Sequence, residues 1–438
     1  MRPLAAELNE TLREENPALY EMLSDLGRRL YFPKGILAQS AEAKEKAHRF
    51  DATIGIAREG GKPMFLPAVM EHFADLSPAE ALAYAPATGR PDLRAQWRAQ
   101  LLAKNPSLAG KSFSTPIVTN GVTHALSLVG DLFVNPGDLV LLPDKFWENY
   151  ELLFGVRLQA QLALYPFFNE EGGFNVEGLR HALQSRTDDG KALLVLNFPN
   201  NPTGYSIRAA EADALVNVLR DAADEGRELV VVTDDAYFGL FYEADALQES
   251  LFARLAGCHE RIVTVKVDGP TKEEYVWGFR VGMLTFSARA ANSDEALYGA
   301  LERKVAGAIR STISNGAQPS QSVLVKAMAD AQFAAQRQQK REILEARAKK
   351  VQEILTNPAF ADLWTPYPFN AGYFMCLRLK GLDAERYRKY LLDNYGVGVI
   401  ADGPQDIRVA FSAVELEQLP ELFSILATAA RELKSEKA

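Results

Sequence analysis

The chain has 438 residues, 47% hydrophobic and 24% charged, with a formal net charge of -9 and a sequence pI near 5.3. That length exceeds what a single hydrophobic core organises, so a large domain with a smaller companion is expected, and the proportions exclude a disordered chain. The acidic balance argues against nucleic acid and anionic membranes as partners, and two cysteines far apart, Cys258 and Cys376, exclude a disulfide framework or a four-thiolate metal site.

The first stretch, "MRPLAAELNETLREENPALYEML", interrupts its apolar residues with acids too often for a secretory leader, and no run along the chain reaches membrane-spanning length. The expectation is a cytoplasmic protein whose partners are small molecules. Residues before about 60 carry no strand rhythm of their own. Further on, "PIVTNG", "DLVLLPD", "ALLVLNFP", "ELVVVTDD", "RIVTVKV" and "RVGMLTF" are brief, rich in β-branched residues and bounded by Gly, Pro, Asp or Asn, as buried strands are. Helical periods separate them: after Ser206, Leu215, Leu219 and Ala222 share one face and Gly226 supplies a stop. This alternation predicts an α/β domain with a mostly parallel sheet. After about residue 330 the rhythm changes. "FAAQRQQKREILEARAKKVQEIL" predicts one long amphipathic helix striped by Leu344, Ala348, Val351 and Leu355, and "AGYFMCLRL" and "DIRVAFS" then suggest a small α+β part. The expected division is a large domain over 61–330 and a small one formed by 1–60 together with 331–438.

In an open α/β sheet, ligands bind beyond the carboxyl ends of the strands. In "VTNGVTHAL", Gly121, Val122 and Thr123 open a helix whose free N–H groups suit a phosphate. "LLPDKFWENY" offers Trp147 and Tyr150, "LNFPNNPTG" offers Asn201, and "VVVTDDAYFG" offers Asp234 and Tyr237, spaced so that both can face one cavity. "GPTKEEYVWGFRVG" sets Lys272 and Arg280 eight residues apart, and "DIRVAFS" carries Arg408. Each piece alone has an ordinary structural reading as a tight turn, a core aromatic or a solvated charge; meaning comes only from their joint occurrence.

Taken in order, "NPTG", "DDAY" and a lysine followed eight residues later by the arginine of "FRVG" resemble the class I and II aminotransferases, the fold-type I enzymes that use pyridoxal 5'-phosphate. The resemblance runs from about Tyr84 to about Ala413 and implies a large α/β domain with a mostly parallel seven-stranded sheet flanked by helices, plus a smaller α+β domain. It implies that Lys272 is the Schiff-base lysine, for which a lowered pKa is suited. It implies that Arg280 clamps the cofactor phosphate, that Asp234 pairs with the pyridinium nitrogen, that Tyr237 and Asn201 hydrogen-bond the ring's phenolic oxygen, and that Trp147 stacks on the ring. Gly121, Val122 and Thr123 match the phosphate-binding turn, and Arg408 matches the arginine that binds the substrate carboxylate. "YAPATG" resembles the segment whose tyrosine, here Tyr84, reaches the phosphate of a neighbouring subunit, so a homodimer with shared sites is implied.

The sequence departs from the family where many relatives carry a hydroxyl three residues before the lysine; Gly269 stands there, while Thr271 keeps a hydroxyl immediately before Lys272. Phosphate binding is then expected to lean on Arg280 and the Gly121 turn, or the backbone path to differ. His124 is read as a packing residue, since Lys272 supplies proton transfer. The segment "FPKGILAQSAEAKEKAHRFDATIGIA" matches no recognition motif, and no second arginine is assignable to a dicarboxylate pocket. The leading expectation is a ping-pong transfer of an amino group between an L-amino acid and a 2-oxo acid, with no metal ion. A C–S β-lyase on the same scaffold and a non-enzymatic PLP-binding sensor remain the alternatives.

Overall fold

The protein is seen in a computed structural model that describes residues 2–33, 35–186 and 190–435. Seven strands form the large sheet: β1 (Ile117–Thr119), β2 (Leu139–Pro143), β3 (Gln161–Tyr165), β4 (Lys191–Asn197), β5 (Glu228–Asp234), β6 (Ile262–Asp268) and β7 (Gly282–Ser287). Their spatial order is β1-β7-β6-β5-β4-β2-β3, with β7 antiparallel to both of its neighbours and the remaining pairs parallel. The central strands are apolar at successive positions because both faces are covered. Leu194 and Leu196 pack beneath the helix Ala209–Asp224, which buries Leu215, Leu219 and Ala222, while Leu193 and Val195 face the helix Val122–Phe133. The seventh strand, β3, escapes the sequence pattern. It lies at the sheet's edge, is only five residues long, and leaves Gln161 and Leu164 exposed although Leu162 to Tyr165 are apolar in sequence.

The helix Phe333–Leu355 leads into a second sheet of β8 (Trp364–Pro366), β9 (Met375–Leu379), β10 (Ile400–Asp402) and β11 (Asp406–Val409), antiparallel in the order β8-β9-β11-β10. The N-terminal segment divides between the two parts. Phe50–Asp51 pairs parallel with Val397–Gly398, and the Gln39 side chain of the helix Ile36–Lys46 makes two hydrogen bonds to the Ala401 backbone, so this stretch packs with the small sheet. The first helices instead lean on the large domain: Arg2 pairs with Glu151, and Arg29 Nε donates to the Val156 carbonyl at 3.3 Å. This differs from the expectation that all of residues 1–60 joins the small domain, because the Glu151 carboxylate and the Val156 carbonyl hold the early helices. Among the described residues, no helix is long and apolar enough to cross a membrane.

Candidate active site

The carboxyl ends of β1, β4, β5 and β6 converge with the loop after β2 and with the small sheet. At the end of β1, Gly121 caps the helix Val122–Phe133 with φ of 84°, and no side chain among the described residues caps its first turn. A Cβ at Gly121 would lie 2.4 Å from Arg280 Nη2, so the glycine lets a cation stand against open helix N–H groups. His124 turns back to this turn: its Nδ1 accepts the Asn120 N–H at 3.0 Å, which fits a packing role. Arg280 is itself left-handed, with φ of 53°, and is exposed to solvent.

Gly269 has a packing reason. An added Cβ would sit 2.8 Å from the Val281 carbonyl oxygen and 3.0 Å from Gly282 Cα, and a Cβ on Gly282 would sit 2.5 Å from the Gly121 carbonyl carbon. Three backbones meet too closely for a hydroxyl side chain at position 269. Thr271 is buried and its hydroxyl points toward the Val281 carbonyl at 3.5 Å.

Lys272 follows in a short turn whose carbonyl accepts the Tyr373 hydroxyl at 2.7 Å. Its Nζ has no carboxylate partner among the described residues; it lies 3.5 Å from the Gly55 carbonyl oxygen and 5.3 Å from the centre of the Tyr237 ring. Burial, reinforced by the positive charges of Arg280 and Arg408, lowers its pKa to about 8. Asp234 ends β5 at 2% exposure, accepting the Tyr150 hydroxyl at 2.6 Å and the Ala236 N–H at 3.1 Å. Burial raises its pKa to about 6 against the pull of those two donors. The register sets Asn197 beside it, and the Asn197 amide donates to the Asp234 carbonyl at 2.8 Å while accepting the Asn201 N–H at 2.8 Å.

Arg408, 2% exposed on β11, donates to Asn201 Oδ1 at 2.9 Å and to the Thr53 carbonyl at 2.8 Å, and its guanidinium carbon stands 4.1 Å from the centre of the Phe374 ring. Burial lowers its pKa. Its Nε has no partner among the described residues. Trp147 stands edge-on to Tyr150 in the loop after β2, with ring centres 5.6 Å apart.

One sector therefore collects Gly121, Arg280, Lys272, Asp234, Tyr237, Asn201 and Arg408, with Val122 and Thr123 in the first turn of the adjoining helix and Trp147 on the Tyr150 side. Tyr84 is not among them: it is 90% exposed. Sequence reasoning missed Thr53 and Gly55, which meet Arg408 and Lys272 through backbone carbonyls; no side-chain pattern signals such contacts. It also left Tyr150 without a role, although its place three residues after Trp147 put it within view.

The model of the family described as aminotransferase class I and II matches residues 54–426. An aspartate aminotransferase of Sulfolobus acidocaldarius is 27% identical over 201 residues, 46% of this chain and 46% of that protein, so the chain spans about half the length of that curated relative. Among solved structures, an aminotransferase from Anaerococcus prevotii superposes with a TM-score of 0.81 at 22% identity, covering 93% of this chain and 99% of that one. The kynurenine aminotransferase of Pyrococcus horikoshii, in complex with PMP, superposes with a TM-score of 0.76 at 18% identity, covering 95% and 98%. At these identities the two structures speak for the fold.

Proposed function

The chain belongs to the class I and II aminotransferases, and from that premise we propose that it moves an amino group between an L-amino acid and a 2-oxo acid in two half-reactions, with pyridoxal 5'-phosphate as cofactor. The observation that carries this reading is an amine without a carboxylate partner, Lys272, placed between two cation-bearing ends: Arg280 with the open Gly121 turn, and Arg408 with Asn201. The residues present fit the cofactor: the helix N-terminus at Gly121, uncapped by any side chain among the described residues and with the Arg280 guanidinium against it, suits a phosphate, and the buried carboxyl of Asp234 suits a protonated ring nitrogen.

Lys272, Arg280, Gly121, Val122, Thr123, Thr271, Asp234, Tyr237, Asn201 and Trp147 would hold it, with Tyr84 of a second copy. When bound, the cofactor supplies an electron sink for the charge left at the substrate Cα. The chain's own groups do the rest. Arg408 and Asn201 grip the substrate carboxylate and fix the direction of the Cα–H bond. Lys272 Nζ, neutral in a substantial fraction near pH 8, would take the proton from the substrate Cα and hold it for return within the same site. Asp234 keeps a proton on the ring nitrogen, and Tyr237 offers a hydroxyl to the ring's phenolic oxygen.

Two further readings accompany this one: a homodimer, supported by the outward position of Tyr84, and a cytoplasmic location, supported by the composition. The test mixes the purified, cofactor-loaded protein with single amino acids while the cofactor absorbance and the released oxo acid are followed. Conversion to the amine form with stoichiometric oxo acid is expected, and Lys272→Ala should abolish it while the variant stays folded. Release of pyruvate and ammonia from cysteine conjugates with no oxo-acid acceptor would instead identify the lyase.

A further inference from the structure

Behind Asp234, on the side away from the cleft, lies a fully buried ionic cluster that the proposed reaction does not use. Lys266 of β6 is 0% exposed; its ammonium contacts Asp235 and lies 3.1 Å from Asp268 Oδ2. Asp235 also accepts the Ser250 hydroxyl at 2.5 Å, and Asp268 accepts the Trp97 indole N–H at 3.2 Å. These contacts tie the end of β5 to the end of β6 where the two strands deliver Asp234 and the lysine turn. Asp235 follows Asp234 directly, and the register sets Lys266 opposite Thr233, so the cluster adjoins the Asp234 backbone.

Two carboxylates and one ammonium leave the cluster one negative charge in excess, and all three side chains are buried. Without the ammonium, the excess would act on the neighbouring carboxyl and favour its protonated form. Buried ion clusters rarely raise stability over apolar packing, so retaining a lysine in the middle of an otherwise apolar strand calls for another role.

We propose that Lys266 is a positioning residue for the reaction: by offsetting Asp235 and Asp268 it keeps Asp234 ionised toward the cleft at neutral pH, and by holding both strand ends it fixes where that carboxylate stands. The inference rests on Asp234 having the role proposed above, but its test does not depend on activity. The titratable groups facing Asp234 are Tyr150 from the β2 loop, Tyr237 and Asp235 from its own segment, Lys266 from β6 and Lys272 from the following turn. Asp268 acts through Lys266.

The experiment isolates Asp234 in the cofactor-free protein. Urea stability is measured between pH 4 and 9 for wild type, Asp235→Asn and Asp235→Asn/Lys266→Met, each with and without Asp234→Asn. The difference within each pair rises with pH and levels off at the pKa of Asp234 in that background. Asp235→Asn makes the cluster neutral, so levelling should occur about one pH unit lower than in wild type. Adding Lys266→Met restores the negative excess and should move it back up by about one pH unit. In the loaded enzyme the acid limb of the amino-acid half-reaction should move the same way. A levelling point common to all three backgrounds overturns the proposal, whatever the enzyme turns out to catalyse. Should the double substitution not fold, wild type against Asp235→Asn decides: no downward move overturns it.

Discussion

Because Asp234 is buried beside Asp235, its carboxyl titrates near 6 and not near the ordinary 3.8, so ionising it in the folded chain costs free energy that the unfolded chain does not spend. Below about pH 4 the group is protonated in both states and contributes nothing; as pH rises toward 6 the unfolded chain releases its proton first, and stability falls. A carboxyl that titrates about two pH units above its ordinary value carries a cost of about 3 kcal/mol once fully ionised. Asp234→Asn can keep both local contacts, with Oδ1 accepting from Ala236 and Nδ2 donating to the Tyr150 hydroxyl. The cofactor-free Asn variant should therefore be more stable than wild type at pH 8 by up to about 3 kcal/mol, with a clearly smaller advantage at pH 5. Urea unfolding at the two pH values checks this, and an equal advantage at both would show that Asp234 is not a buried acid. The same substitution should abolish turnover, since a cost kept in the empty fold is what a cationic ring nitrogen would relieve.

The turn that carries Lys272 is held from behind by charge. Glu274, two residues on and fully buried, receives Arg337 of the helix Phe333–Leu355 at 3.0 Å, while Lys104 binds Glu273 at 2.8 Å and reaches Glu274 only at 3.9 Å. Arg337→Met would leave a buried carboxylate with one distant partner, at a cost of about 3–5 kcal/mol. Burial already raises the Glu274 pKa, and losing the arginine raises it further. Protonation at low pH then relieves the charge, so the thermal destabilisation should be larger at pH 8 than at pH 5; a loss independent of pH would mean that packing of the arginine stem dominates. This anchoring is not legible in the sequence. The acids after Lys272 look like surface charges until the start of a helix more than sixty residues later is seen to cover them. The elements that are legible, β4, β5 and β6, are buried on both faces and mostly apolar, with Thr264 and Lys266 interrupting β6, and Asn201, Asp234 and Lys272 stand at or just beyond their carboxyl ends. What stays hidden is written in backbone: the Thr53 carbonyl under Arg408, the Gly55 carbonyl over Lys272, and the three-glycine contact that leaves position 269 no room for a hydroxyl.

At the scale of the whole molecule, the segment between residues 65 and 84 carries an exposed apolar face. Phe65, Met70, Phe73, Leu82 and Tyr84 are all exposed, Leu82 and Tyr84 to 83% and 90%, although Leu66, Ala68 and Val69 of the same segment are buried in the core. A second copy related by a two-fold axis would cover such a face and bring each Tyr84 to the other protomer's Arg280 and Gly121. Losing a hydrogen bond to a charged phosphate costs about 1.5–3 kcal/mol, so Tyr84→Phe should weaken cofactor binding by roughly ten- to a hundred-fold. Mixing decides which chain the tyrosine serves. When Lys272→Ala and Tyr84→Phe proteins are unfolded together and refolded, a hybrid dimer holds one site carrying both substitutions and one carrying neither, provided Tyr84 crosses the interface. About half of the dimers in an equal mixture are hybrids, so about a quarter of all sites should regain wild-type cofactor affinity. Titrating cofactor at a level that saturates wild type but not Tyr84→Phe reads this directly as recovered turnover. If Tyr84 served its own protomer, the hybrid would hold no intact site, and the mixture would show only half the turnover of Tyr84→Phe alone.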